Sequence, residues 1–430
     1  MLALLKSCSG KLAYMPIMMV AMALLMVKPI LMARFFRPEE FAAYSSGLLI
    51  SSTFCMFGCL GLYNELQRDM PVKFYAGLER KAFVLLLQAA LVAAVCFVLL
   101  GLGGFSSVEI AGLGGAGLTV GVFHGFSQQL FLLSTVESKS RGETLRFSHQ
   151  LISKAVLVIT IAVFVGWKTD SAVATLLTEA VISLLLGVGI VVRAVSRFSL
   201  VSLMRLAVRQ LARINWPDAL TLMGVTMVTF MVMNLDRWLA GVLMPARDFA
   251  IYAFAWVVLM AAQAAQAMVN ASVFPALARE YAASGRRRSF RLAGLISLLT
   301  LVAGVILAWP LCKLINGGIS LYFPEYVKAT TVVVIFYLGG VLRFSNFFSG
   351  FLIVVGKERP LLVINVATLL AGVMLWFAVF GLAGFSRLVP LAWFSLFLMA
   401  LNYFAILVYA FLEGRPGSRY KDACSARDSK

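Results

Sequence analysis

Hydrophobic runs of about 20 residues recur along almost the whole chain, and each is long enough to cross a hydrocarbon core of about 30 Å as a helix. Of the 430 residues, 61% are hydrophobic and only 13% are charged. Ordinary soluble proteins carry about 25% charged residues. The sequence therefore predicts a polytopic membrane protein and excludes a single soluble domain.

Charged residues and turns marked by Gly or Pro divide these runs into about twelve predicted spans. The spans cover residues 12–33, 41–62, 82–104, 110–133, 148–167, 171–192, 215–235, 249–275, 290–312, 328–355, 360–380 and 388–412. The predicted fold class is an all-α polytopic membrane protein. The remaining polar segments are a basic linker at 193–214 and a tail at 413–430. We predict that both are cytoplasmic and that the tail is disordered.

The chain is strongly basic, with 37 Lys and Arg against 19 Asp and Glu and a formal charge of +18. In a soluble chain this charge would favour nucleic-acid binding. With a cytoplasmic N-terminus, 27 basic residues fall on the inner side, 8 fall on the outer side, and Lys28 and Arg343 lie within spans. This distribution follows the positive-inside rule. We therefore predict both termini in the cytoplasm, contacts between the loops and membrane lipids, and no nucleic-acid partner.

Motifs of enzymes are poorly represented. Residues 112–117 match GxGxxG but lie within a predicted span and follow no strand, so small residues for close helix packing are the better interpretation. The chain has only two His, and its six Cys fit neither a metal pattern nor a disulfide pattern. No catalytic residue, metal or cofactor is therefore predicted, and the chain is not expected to be an enzyme.

An internal repeat is the most informative local feature. Residues 38–44 and 246–252 share the pattern acid-Phe-Ala-x-Tyr at a constant offset of 208. Because six predicted spans separate the two copies, both begin on the same side of the membrane. The pattern predicts two six-helix lobes, at 1–192 and 215–412, that are parallel repeats about an axis along the membrane normal. Such an arrangement is typical of transporters.

The same segments carry a family resemblance. The resemblance is carried by residues 34–44, by residues 235–239 with 248–252, and by the Gly-Lys-Glu-Arg-Pro sequence at 356–360. In these segments the chain resembles the polysaccharide-exporter (Wzx-type) branch of the multidrug/oligosaccharidyl-lipid/polysaccharide (MOP) flippase superfamily. The resemblance implies a two-lobed, MATE-like, alternating-access carrier with a cationic lumen. Its implied substrate is a polyprenyl-pyrophosphate-linked oligosaccharide repeat unit, moved across the bacterial inner membrane for surface polysaccharide biosynthesis, as for exopolysaccharide or O-antigen. A polysaccharide polymerase and other assembly proteins are implied partners.

Two other functions remain open. A multidrug/cation antiporter of the same fold would require acidic residues for cationic drugs, whereas the first span carries Lys28 and no acid. A polytopic glycan polymerase or acyltransferase would require a large polar external loop or a catalytic His/Asp cluster. The sequence shows neither feature, which favours the flippase.

Arg343 is the clearest candidate for contact with substrate. It lies about fifteen residues from both Lys328 and Lys357, or roughly 22 Å along a helix, and so near mid-membrane. Asn346 and Gly350 follow at i+3 and i+7 and give the helix a polar face. We predict that this face meets a pyrophosphate; the alternative is an Arg paired with a buried carboxylate to hold helices together.

Other polar residues within spans are candidates for binding or coupling. Glu179 is deep and flanked by hydroxyls, so it is predicted either to carry a proton or to form a permanent ion pair. Lys28 either extends to the outer interface or lines the cavity. Three amide side chains, Gln263, Gln266 and Asn270, are suited to bind sugar hydroxyls. The alternative is that they form hydrogen bonds between helices. Further coupling or ion-pair candidates are His124, Asp218, Asp236 and Arg237, of which Asp218 and Asp236 share a predicted polar stripe with Thr221 and Thr229.

Overall fold

The secondary structure is almost entirely helical. The computed structural model describes residues 14–102, 110, 113–381 and 387–414, and within them only an isolated bridge between Ile110 and Leu113 has β-type pairing. The first eight helices are α1 Tyr14–Phe35, α2 Pro38–Phe57, α3 Leu62–Tyr75, α4 Glu79–Leu102, α5 Gly115–Ser140, α6 Thr144–Leu157, α7 Val163–Thr169 and α8 Ala172–Val195. The others are α9 Leu200–Gln210, α10 Trp216–Leu243, α11 Ala246–Tyr322, α12 Ala329–Phe344, α13 Phe348–Val354, α14 Glu358–Phe380 and α15 Leu388–Gly414.

The helices confirm the predicted all-α multi-pass membrane class. Ten segments in the described part of the chain are long and apolar enough to cross a membrane, and the bent pair α2 and α3 raises the number to eleven. Helix α5, which covers most of the remaining predicted span, 110–133, has 26 residues but is not among them. Its polar side chains, including His124 and Gln128, lower its hydropathy.

Two predicted spans lie in one long helix. Helix α11 is interrupted at Gly285, whose φ of 78° and ψ of −179° are not helical. Glycine adopts this backbone conformation without the steric penalty that a Cβ would impose. The interruption falls between the predicted spans 249–275 and 290–312, so the two parts of α11 correspond to separate spans.

The chain forms two compact units. Unit 1 comprises Met1–Val257, Asn316–Val333 and Leu382–Ala392, and unit 2 comprises Val258–Ile315, Val334–Gly381 and Trp393–Lys430. The division into lobes at 192 and 215, and their parallel relation, remain predictions. Part of the predicted tail, residues 415–430, lies outside the described residues, as does Gly112 of the glycine motif.

The predicted basic linker at 193–214 contains a packed helix. Leu203 and Ala207 of α9 are fully buried against α4, and the Ala207 carbonyl accepts a hydrogen bond from Gln88. The arginines of α9 lie on its opposite, exposed face. Helix α9 is therefore amphipathic and is part of unit 1.

Three helices of unit 1 pack closely because glycines face their crossings. A Cβ on Gly125 of α5 would lie 2.7 Å from the Cβ of Phe54 and 2.9 Å from the carbonyl oxygen of Ser51, both on α2. A Cβ on Gly47 of α2 would lie 2.3 Å from Leu176 of α8. Such small residues let helix backbones approach closely. The packing brings polar side chains of α2, α5 and α8 within hydrogen-bonding distance.

Candidate functional site

A buried ion pair occupies the interior of unit 1. The Lys28 ammonium of α1 lies 2.5 Å from Oε2 of Glu179 on α8. Tyr44 of α2 donates a hydrogen bond to Oε1 of Glu179 over 2.7 Å, and Nε2 of His124 on α5 lies 3.2 Å from Oε2. All four side chains are buried. A carboxylate in such surroundings requires these partners, because burying an unpaired charge is strongly unfavourable.

The network extends away from Glu179 through amide and hydroxyl groups. Nδ1 of His124 lies 2.7 Å from the Ser51 hydroxyl, and Gln128 donates to Ser183 over 3.1 Å. The buried Lys154 ammonium donates to Oε1 of Gln128 and lies 4.2 Å from the centre of the Phe131 ring. We call the set Lys28, Tyr44, Ser51, His124, Gln128, Lys154, Glu179 and Ser183 the Glu179 network. It contains two lysines, one histidine and one carboxylate.

Local capping fixes the helix that carries Glu179. Ser171 is the N-cap of α8, and its hydroxyl accepts a hydrogen bond from the backbone N–H of Ala174. The Glu40 carboxylate of α2 accepts from the backbone N–H of Ala172 over 2.7 Å. Both contacts satisfy N–H groups that have no partner within the helix. Because Glu40 belongs to the first copy of the internal repeat, the repeat also orients α8.

The second copy of the repeat forms a comparable cluster, also within unit 1. Tyr252 of α11 donates a hydrogen bond to Oδ2 of Asp236 on α10 over 2.7 Å. The neighbouring Arg237 guanidinium lies 4.2 Å from the centre of the Trp256 ring, an arrangement that allows a cation–π interaction. Asp236, Arg237 and Tyr252 are all buried. Each copy of the repeat thus places a tyrosine hydroxyl on a buried carboxylate.

In unit 2, Arg343 lies where a membrane span is interrupted. It is half-buried in the last turn of α12, which ends at Phe344, and α13 begins at Phe348. The carbonyl groups at a helix C-terminus favour a nearby cation. Asn346, in the break, accepts a hydrogen bond on its carbonyl oxygen from Gln266 over 3.5 Å. Two of the predicted binding residues, Gln266 and Asn346, are therefore in contact.

The remaining predicted site residues have different environments. Gln263 and Asn270 are half-buried on α11. Asp218 is exposed in the first turn of α10, where it accepts a hydrogen bond from Asn215 over 2.8 Å. Thr221 and Thr229 are also exposed, whereas Asp236 is buried, so the four residues of the predicted stripe do not share one environment.

Three members of the Glu179 network, Tyr44, Ser51 and Lys154, are missed or misassigned in the sequence analysis. Tyr44 was identified only as part of the repeat, and its recurrence as Tyr252 is the signal that would have indicated a role. Lys154 is one of the 27 basic residues that the sequence analysis assigns to the inner side outside the spans, and this assignment is wrong: its side chain is buried in the span Thr144–Thr169. Its position within the predicted span 148–167 was the available signal. The predicted excess of basic residues on the inner side remains without it.

The described part of the chain contains no group of three or more His, Cys, Asp and Glu side chains arranged to hold a metal ion. The side chains of the Glu179 network are hydrogen-bonded or ion-paired to one another. The Glu179 network links five helices, α1, α2, α5, α6 and α8, through charged and neutral hydrogen bonds. A change in the protonation of one member would therefore alter contacts on several helices together.

Comparison with known proteins identifies the fold. No protein-family model and no curated protein matches the sequence. Among solved structures, a Vibrio cholerae MATE transporter is similar, with a TM-score of 0.58 at 16% identity over 96% of both chains. An outward-facing MATE family transporter of the MOP superfamily gives 0.58 at 13% identity over 94% of this chain and 93% of that one. The lipid II flippase MurJ gives 0.55 at 11% identity over 94% and 89%.

These similarities extend over nearly the whole chain. The protein therefore has the fold shared by the MATE and MurJ structures, in agreement with the predicted MOP-type architecture.

Proposed function

We propose that the protein is a flippase that moves polyprenyl-pyrophosphate-linked oligosaccharides across the bacterial inner membrane by alternating access, without covalent chemistry. The fold is compatible with both a lipid-linked substrate, as in the MurJ flippase, and a multidrug transporter of the MATE type. The choice between them rests on the charges within the membrane spans.

The embedded charges are predominantly cationic. Six or more residues from either end of the ten described spans, the basic side chains are Lys28, Lys154, Arg237, Arg291, Lys313 and Arg343, and the carboxylates are Glu179 and Asp236. Both carboxylates already accept hydrogen bonds from tyrosines, and Glu179 is also paired with Lys28. A transporter of cationic drugs requires accessible acidic groups, whereas a pyrophosphate requires arginine or lysine. The cationic excess is the observation that favours the lipid-linked anion.

We assign binding of the pyrophosphate to Arg343, and binding of sugar hydroxyls to Asn346, Gln266, Gln263 and Asn270. Amide groups can both donate to and accept from hydroxyls. Lys28, first considered for substrate binding, is assigned instead to the ion pair with Glu179. The Glu179 network is the proposed coupling element, because protonation of Glu179 would remove its attraction for Lys28.

A reconstituted assay tests this function. The purified protein is placed in liposomes with a fluorescent polyprenyl-pyrophosphate-linked oligosaccharide, and movement of the headgroup is measured by chemical quenching of the fluorophore from outside. Without flipping, the fluorophores on the inner leaflet, about half of the total, are protected from the quencher. A flippase should accelerate the loss of this protected fluorescence, and ethidium uptake into the same liposomes should stay at the rate without protein. Ethidium transport without headgroup movement would assign the protein to the multidrug class.

The proposal also predicts a cellular phenotype. Deletion of the gene should cause lipid-linked intermediates to accumulate on the cytoplasmic leaflet, since synthesis of the repeat unit continues while its export stops. With both termini cytoplasmic, tags at either end should be inaccessible to protease in intact spheroplasts. Loss of polymer with intermediates already on the outer leaflet would instead indicate a polymerase.

A further inference from the structure

A second polar site lies at the end of unit 1 where α5 ends and α6 begins. A cavity of about 860 Å³ is lined there by side chains of α4, α5, α6, α8 and the turn after α8. Four arginines face it: Arg141, Arg146, Arg193 and Arg197. We call it the arginine cavity. The Glu179 network has no residue in its lining.

One pair of these arginines is built into the wall. Glu137 is buried at the end of α5, and its two carboxylate oxygens lie 2.6 Å from Nε of Arg141 and 3.2 Å from Nη2 of Arg146. Arg141 also lies 3.0 Å from Glu79, and Arg146 lies 2.8 Å from Glu143. These ion pairs fix the shape of the cavity and neutralise its first two arginines.

The other pair is available to a ligand. Arg193 and Arg197 are exposed, four residues apart, and no carboxylate of the described residues lies within ion-pair distance of either guanidinium. Arg193 lies in the last turn of α8 and Arg197 in the turn that follows, and both line the same cavity. Guanidinium N–H groups match the oxygens of a phosphate.

Apolar residues adjoin the arginines on the same helix face. Leu186 and Ile190 of α8 line the cavity and precede Arg193 by seven and three residues, so all three lie on one face of the helix. Toward the middle of α8, Leu185 and Val188 are exposed as well, as expected of a surface that contacts lipid chains. A ligand that follows this face would meet apolar side chains first and arginines last. That order matches a lipid whose chain ends in a phosphate.

We propose that the arginine cavity binds the phosphate headgroup of a membrane lipid, with Arg193 and Arg197 on the phosphate and Leu186 and Ile190 against the first part of the chain. The headgroup belongs either to an anionic phospholipid or to a polyprenyl diphosphate carrier, which share this chemistry. The predicted orientation places the cavity at the cytoplasmic leaflet, where anionic lipids are enriched. The inference does not depend on the proposed flippase activity.

Binding to the purified full-length protein provides the test. The protein is held in phosphatidylcholine nanodiscs, and dioleoyl-phosphatidylglycerol or a polyprenyl diphosphate is titrated while bound lipid is counted by native mass spectrometry. The variant carries Arg193→Gln and Arg197→Gln. The control carries Arg205→Gln and Arg209→Gln, an exposed pair on α9 with the same spacing that is not part of the cavity lining.

Loss of two charge-assisted contacts should weaken lipid binding by roughly tenfold or more in the cavity variant and by less than about twofold in the control. Equal losses in both variants would show general attraction between basic surface and anionic lipid and would overturn the site. No loss in the cavity variant would overturn it too. If one of the two lipids binds more tightly than the other, the proposal is supported and the tighter ligand identifies the source of the headgroup. If inorganic pyrophosphate binds as tightly as the lipids, the site is not a lipid site.

Discussion

Tyr44 donates its hydroxyl hydrogen to Oε1 of Glu179 over 2.7 Å, from α2 to α8. Tyr252 makes an equivalent bond to Asp236 over the same distance, from α11 to α10. The two tyrosines occupy the same position in the internal repeat, 208 residues apart. A repeat first recognised as a pattern in the sequence therefore has a physical function: each copy stabilises one buried carboxylate.

The first prediction concerns this shared bond. Tyr44→Phe and Tyr252→Phe each remove a hydroxyl that donates to a buried carboxylate, so each should lower the free energy of unfolding by about 1–3 kcal/mol. The measurement is the melting temperature of purified protein in detergent. Tyr75→Phe is the control, because Tyr75 is 98% exposed and its variant should have the melting temperature of the wild type. If all three variants have the same melting temperature, the two hydrogen bonds do not stabilise the fold.

The second prediction concerns the Lys28–Glu179 pair. Lys28→Met or Glu179→Gln alone leaves one charge buried without its partner and should cost about 3–5 kcal/mol, whereas the double variant should cost less than the sum. The Arg37–Asp170 pair, 3.3 Å apart, is the control because both side chains are accessible. A double-mutant cycle with Arg37→Met and Asp170→Asn should give a coupling below about 1 kcal/mol. Equal coupling in the two cycles would argue against a special role for burial.

The third prediction separates coupling from structure at Glu179. Glu179→Gln mimics the protonated carboxyl, so a proton-coupled carrier should lose gradient-driven flipping while the folded protein that reaches the membrane still binds substrate. The assay measures membrane abundance together with transport across a series of pH values. Reduced abundance without a change in pH dependence would identify a static ion pair. Transport that matches the wild type at every pH would remove Glu179 from the mechanism.

The fourth prediction tests the close approach of α5 to α2. Gly125→Ala places a methyl group 2.7 Å from Phe54, so it should destabilise the protein by about 1–3 kcal/mol. Gly189→Ala on α8 is the matched control, because no atom lies within 4 Å of its added Cβ. At that position Ala should stabilise the helix by about 0.5–1 kcal/mol. Opposite shifts in melting temperature are expected, and destabilisation of equal size in both would contradict the packing.

Much of the fold could be predicted from the sequence because bilayer thickness fixes the length of a span. The predicted runs 249–275 and 290–312 are separated in the structure at Gly285. The run 328–355 was harder, because hydrophobicity does not reveal an interruption inside an apolar segment. Helix α12 ends at Phe344, and the break that follows places Arg343 at a helix terminus.

The candidate site could be predicted only residue by residue. Lys28, His124 and Glu179 were each identified from their polarity within a span, yet their mutual contacts depend on which helices pack together. That packing is set by glycines such as Gly47 and Gly125, whose role appears only when the facing helix is known. Lys154 was assigned to a loop because it lies near the start of its span, where a lysine more often reaches water.

Arg343 provides the most direct test of the central claim that the embedded cations serve an anionic lipid-linked substrate. Headgroup flipping in liposomes should fall to the protein-free rate in Arg343→Ala at unchanged abundance, and Arg343→Lys should retain part of it because the charge survives without the guanidinium fork. Arg287→Ala, an exposed arginine of the same unit, should flip at the wild-type rate. Wild-type flipping in Arg343→Ala would contradict the account.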